Sequence, residues 1–182
     1  MIKKSDTVIL VAIPKELPKL LLPDWNIIYT GVGKINASFA ISKAYFEFKP
    51  KIFINYGTAG ALNHSLSGLL EVSKFEQRDM EVSALGFKIG ETPFEKLSTI
   101  TNSEKGFSCS TGDNFVTKVP KIKTDLVDME SYAYAKFCKL YNIKFYCYKY
   151  VSDNADENAS IDWNKTIKNG AKEFANLILN FN

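Results

Sequence analysis

Val8-Ile9-Leu10-Val11-Ala12-Ile13, closed by Pro14, is the stretch on which the reading of the fold turns. Six apolar residues in an unbroken run are too few for an ordinary helix and fit a strand buried on both faces. Such strands belong to parallel sheets covered by helices. The signature recurs at Ile52–Tyr56 and at Phe145–Val151. Each recurrence follows a segment with helical spacing of apolar residues: Ile35, Phe39, Ile41, Ala44 and Tyr45, then Tyr134, Ala135, Phe137, Cys138 and Tyr141. Strands alternating with helices of this length predict βαβ units and a mostly parallel sheet. A closing helix is expected from Ile161 to Leu179, with Ile167, Ala171, Phe174, Ala175 and Ile178 on one face. Residues 75–107 are weakly periodic, and two short strands with loops are expected there.

At 182 residues and 46% hydrophobic content the chain has material for one sizeable core, so a single domain over residues 1–182 is expected. The 23 basic and 20 acidic residues are scattered, leaving a net charge of +3 without a basic stripe, which argues against a nucleic-acid partner. Arg78 is the only arginine. Cys109, Cys138 and Cys147 are odd in number and lack C-x-x-C spacing, so free buried thiols and a cytoplasmic location are expected. Met1–Leu17 carries Lys3 and Lys4 before its apolar run, but that run is short and Pro14-Lys15-Glu16 stands where a leader's cleavage site would be. No stretch approaches a membrane span, and no membrane partner is expected.

In open α/β sheets ligands collect beyond the carboxyl ends of the strands. Three segments fall there together if the strands are parallel: Glu16, Gly57-Thr58-Ala59-Gly60, and Ser152-Asp153-Asn154-Ala155-Asp156. The two glycines of the second segment allow a ligand close to the backbone, or serve only as a packing turn. Asp153, at the end of an apolar strand, is placed where burial holds a carboxyl protonated, with a turn cap as the plainer alternative. Val127-Asp128-Met129-Glu130 leads into a helix near Ser131, and its carboxylates suit the helix dipole whether or not they do more. Gly31-Val32-Gly33-Lys34 lacks the third glycine of a dinucleotide loop, since Asn36 takes that place, and reads as a tight turn opening a helix. His64, the only histidine, reads as a surface loop residue, and no spacing suggests a metal site.

Taken in order, these segments resemble the purine nucleoside phosphorylase/nucleosidase superfamily, and within it the methylthioadenosine/S-adenosylhomocysteine nucleosidase branch. The resemblance runs through Ala12–Leu17, Thr30–Ala37, Asn55–Gly60, Ser110–Val116, Val127–Glu130 and Val151–Asp156. It implies a three-layer α/β/α sandwich around a mixed, mostly parallel twisted sheet, with neither metal nor organic cofactor. It also implies roles. Asp153 would be the general acid on the leaving base, and Glu16 the base that activates water. Glu130 would accept the ribose hydroxyls, with Met129 against the sugar. Phe115 would stack on the purine and the Val116 backbone read its edge. Thr58, Ala59, Gly60 and Ser152 would complete the substrate site. Asn55 stands where phosphate-using members are expected to carry an arginine, so water is the expected nucleophile. A phosphorylase and a non-catalytic nucleoside-binding module are the alternatives. The resemblance also implies a homodimer, with Tyr132 or Phe75 as candidate interface aromatics. The chain departs from the family mainly by being short between Phe87 and Phe107, which leaves the pocket for the 5′ substituent open.

Overall fold

The computed structural model describes residues 3–181. Met1 and Ile2 of the leader-like segment, and Asn182, lie outside the described residues. In chain order the elements are β1 (Thr7–Val11), β2 (Asn26–Tyr29), α1 (Lys34–Phe48), β3 (Ile52–Ala61), β4 (Leu69–Gln77) and β5 (Ile100–Thr101). They continue with β6 (Phe107–Thr111), β7 (Leu126–Asp128), α2 (Ser131–Leu140), β8 (Lys144–Asp153), α3 (Ala159–Thr166) and α4 (Gly170–Leu179).

The three apolar runs form β1, β3 and β8, and they lie side by side: β1 and β8 each pair with β3 in parallel. Every residue of β1 is buried, as a strand covered on both faces requires. Parallel pairing also joins β1 to β2, β4 to β6 and β6 to β7, whereas β3–β7, β4–β5 and β4–β8 are antiparallel. The sheet is therefore mixed and mostly parallel. Its hydrogen bonds also close a circuit, β3–β7–β6–β4–β8 and back to β3, in which β8 bridges β3 and β4.

Helices cover both faces. On one, α1 buries Ala37, Ile41 and Ala44, a stripe at helical spacing, and α2 buries Tyr134, Ala135 and Cys138. Tyr45 of α1 meets Phe137 of α2 edge to face at 5.7 Å. On the other face α4 buries Ala171, Phe174, Ala175 and Ile178, with Phe174 stacked on Tyr56 at 4.4 Å. This is the expected α/β/α sandwich.

Three expectations need correction. The closing helix is broken: α3 and α4 are separated at residues 167–169, although the expected buried face is right, Ile167 included. Gly170, the first residue of α4, lies against β8, where a Cβ would sit 2.3 Å from Tyr150. Ile35 and Phe39 do not belong to the buried side of α1 and are 82% and 74% exposed, because the stripe 37, 41, 44 turns them away. Phe75 and Tyr132 are buried, not available at a surface: Phe75 packs on Phe145 at 5.5 Å, and the Tyr132 hydroxyl donates to the Leu97 carbonyl. No helix among the described residues is long and apolar enough to cross a membrane.

Candidate active site

The carboxyl ends of β1, β3 and β8 open into a cavity of about 230 Å³. All ten residues singled out from the sequence line it: Glu16, Thr58, Ala59, Gly60, Phe115, Val116, Met129, Glu130, Ser152 and Asp153. Val32, Arg78, Asn114, Asp128 and Trp163 join them.

Asp153 is carried to the wall by an irregularity in β8. Ala59 pairs with Val151 but Gly60 pairs with Asp153, so Ser152 is an extra residue and the strand bulges there. Asp153 is only 9% exposed as a residue, its carboxyl accepting the Ala155 N–H at 2.9 Å on Oδ1 and facing the Ser152 hydroxyl at 2.7 Å on Oδ2. Burial pushes its pKa up, against those hydrogen bonds. Gly60 leaves the room for it, because a Cβ there would stand 2.7 Å from Asp153 Oδ1.

Glu16 follows β1 and is 4% exposed. Its Oε1 accepts both the Thr58 N–H and the Thr58 hydroxyl at 2.8 Å, and Oε2 faces the Ile13 N–H at 3.4 Å. The Trp163 indole N–H in turn donates to Thr58 Oγ1 at 2.9 Å.

Glu130, at the start of α2, accepts the Gly33 N–H at 2.9 Å. Burial and the negative charge of Asp128 push its pKa up to about 7, opposed by Lys149 and that N–H. Gly31 and Gly33 adopt φ of +82° and +93°, and the next amide, Lys34 N–H, donates to Asp113 Oδ1 at 2.7 Å. The turn before α1 thus spends its amides on two carboxylates of the protein, which supports a tight turn over a cofactor loop.

Beneath the cavity lies a buried ion pair that the sequence reading missed. Lys149 Nζ sits 2.8 Å from Asp128 Oδ2, and both side chains are 1% exposed. Burial pulls the Lys149 pKa down, but Asp128 together with the other acidic groups around it, Glu130 among them, outweighs that and holds the ammonium charged. Asp128 also accepts the Thr111 hydroxyl at 2.5 Å and the Ser131 N–H at 2.8 Å. A lone charge inside the apolar run of β8 was the available signal. Gly57 pairs with Lys149 across the strands, and a Cβ on it would be 3.3 Å from both Lys149 Nζ and Glu16 Oε1.

Arg78 is the only cationic residue lining the cavity among the described residues, and it is committed to the backbone. Its guanidinium donates to the carbonyls of Ser110, Asp128, Gly112 and Asn114 at 2.6–3.0 Å, which fixes the loop bearing Phe115. Asn55 is buried below the cavity, donating to the Leu10 carbonyl at 3.0 Å and accepting from the Cys147 thiol. The described residues hold no group of three or more His, Cys, Asp or Glu side chains placed to bind a metal ion.

Residues 98–181 match a family described as the Phosphorylase superfamily. The chain is 30% identical over 180 residues to the 5′-methylthioadenosine/S-adenosylhomocysteine nucleosidase of Staphylococcus aureus strain bovine RF122 / ET3-1, covering 83% of this chain and 78% of that protein. Against the enzyme of the same name from Staphylococcus haemolyticus it is 28% identical, covering 82% and 77%. Among solved structures, futalosine hydrolase of Helicobacter pylori strain 26695 superposes with a TM-score of 0.85 at 22% identity, over 94% of each chain. The 5′-methylthioadenosine/S-adenosylhomocysteine nucleosidase of the same species, bound to butyl-thio-DADMe-Immucillin-A, gives 0.84 at 21% identity, over 94% of this chain and 95% of that one. These two share the fold.

Proposed function

We propose that this chain, which belongs to the 5′-methylthioadenosine/S-adenosylhomocysteine nucleosidase family, hydrolyses the N-glycosidic bond of an adenine nucleoside with a modified 5′ group. The observation that carries the reading is the meeting of three buried carboxyls, Glu16, Glu130 and Asp153, around one apolar-walled cavity at the ends of β1, β3 and β8.

Each carboxyl suits a different task. Asp153, its pKa raised by burial, is the acid that donates a proton to N7 of the purine as the bond from C1′ to N9 breaks. The electron pair of that bond leaves with the base, and the ribose becomes oxocarbenium-like. Glu16, held on one oxygen by Thr58, accepts a proton from the water that attacks C1′. Glu130 receives the ribose hydroxyls beside Met129, and Phe115 with the Val116 backbone holds the base. Ala59 and Gly60 bring main chain close to the ligand, and Ser152 steadies Asp153. Water is favoured over phosphate because Arg78 already serves four carbonyls and, among the described residues, no lysine lines the cavity.

The same reading carries a homodimer. Val32, at the cavity rim, leads onto Ile35 and Phe39, exposed apolar residues that a second copy would cover. Three free, buried thiols fit a reducing compartment, which supports a cytoplasmic location.

The test is release of free adenine from methylthioadenosine by the purified protein, with and without added phosphate. Equal rates support the nucleosidase. A phosphate requirement makes it a phosphorylase, and binding without release makes it a nucleoside-binding module.

A further inference from the structure

Trp163 lies on α3, beyond the strand that carries Asp153, yet its indole reaches back to β3. An indole N–H is a donor only, and a threonine hydroxyl has a single proton. The Trp163 N–H is directed at Thr58 Oγ1 at 2.9 Å, so this hydroxyl accepts from the indole. Its proton is left for Glu16 Oε1 at 2.8 Å, where the Thr58 N–H also arrives. Oε1 is thereby committed to the protein, and Glu16 is held as an acceptor with Oε2, faced by the Ile13 N–H at 3.4 Å, as its less engaged oxygen. The last residue of the helix also approaches β8, the Thr166 hydroxyl lying 2.8 Å from the Ser152 carbonyl, next to Asp153, and 2.9 Å from the Asp162 carbonyl of its own helix.

We propose that Trp163 is a positioning residue that acts through the Thr58 hydroxyl to orient Glu16, so that one short helix ties the placement of the base to the strand bearing the acid. The proposal rests on the reading of Glu16 as the group that activates water.

A double-mutant cycle with Trp163→Phe and Thr58→Val separates this role from wall packing. Phenylalanine keeps an aromatic face and loses the donor. Trp163→Phe is expected to lower kcat about 3- to 10-fold with KM changed by less than about 2-fold, as the loss of one hydrogen bond predicts. In the Thr58→Val background the same substitution should have no further effect on kcat, and Thr58→Ser should retain the full effect. Equal losses in both backgrounds, or a change confined to KM, would overturn the proposal.

The ligand-free protein supplies a readout independent of turnover. It has two tryptophans, Trp25 and Trp163, so its indole N–H resonances are distinguished by Trp163→Phe alone. The Trp163 signal should exchange slowly with solvent and survive Thr58→Ser. Fast exchange in the unmodified protein would overturn the hydrogen bond even if Thr58→Val failed to fold. An unmodified protein that cleaves no adenine nucleoside would instead overturn the functional reading, and the role of Trp163 with it, whatever the indole does.

Discussion

Replacing Lys149 by methionine removes an ammonium and keeps an unbranched apolar stem of similar length. In the folded chain that ammonium lies 2.8 Å from Asp128 Oδ2 with both side chains 1% exposed, so its loss strands a carboxylate out of water. Breaking such a pair from one side costs about 3–5 kcal/mol. Asp128 keeps its Thr111 and Ser131 donors, which places the expectation at the lower end, about 3 kcal/mol. For a chain of this size each kcal/mol is about 2–4 °C in Tm, so a fall of about 6–12 °C is expected by circular dichroism. The pH dependence is the sharper test. In the unmodified protein the raised pKa of Lys149 gives stability that is present below the unfolded lysine value and lost as pH rises through the folded one. The lowered pKa of Asp128 gives stability that is present above the unfolded carboxylate value and lost as pH falls through the folded one. Without Lys149 the stranded carboxyl favours protonation, so the destabilisation should be larger at about pH 8 than at about pH 5. The double variant Asp128→Asn/Lys149→Met should recover most of the loss. A pH-independent loss under about 1 kcal/mol, not relieved by the second substitution, would refute the reasoning.

Asp153→Asn should lower adenine release by about two orders of magnitude or more while nucleoside binding, followed by calorimetry, persists. Because the protonated carboxyl is the donor and burial raises its pKa, turnover of the unmodified protein should fall as pH rises through that value, a limb the asparagine variant lacks. Gly60→Ala puts a Cβ 2.7 Å from Asp153 Oδ1 and 3.1 Å from the Ala155 and Val127 side chains. It should cost about 1–3 kcal/mol in thermal unfolding and lower kcat by at least about 10-fold through displaced acid.

The strands were legible where burial on both faces suppresses alternation, at Val8–Ile13, Ile52–Tyr56 and Phe145–Val151, and their common edge located Glu16, Thr58 and Asp153. What escaped depends on partners distant in sequence. Trp163 is an ordinary aromatic on a helix until Thr58, 105 positions earlier, is beside it. Phe75 and Tyr132 looked available to a partner because nothing local reveals that Phe145 and the Leu97 carbonyl cover them. The close packing of Gly170 on Tyr150 was equally hidden, because the two meet only once α4 lies against β8. The bulge at Ser152 is a matter of register, set by pairing with β3 and not by the apolar run that announces the strand.

The circuit of strands closed by β8 has a consequence for the order in which the protein comes into being. A ribosome delivers β3, β4, β6 and β7 first, and until residues 144–153 emerge the first two of these have a gap between them where a central strand belongs. That late strand carries Lys149 and Asp153, and Trp163 is later still. A chain that stalls or is cut before this point therefore presents Glu16 and Glu130 without the acid, the buried cation or the indole, and such a product lacks the proton donor that cleavage of the nucleoside requires.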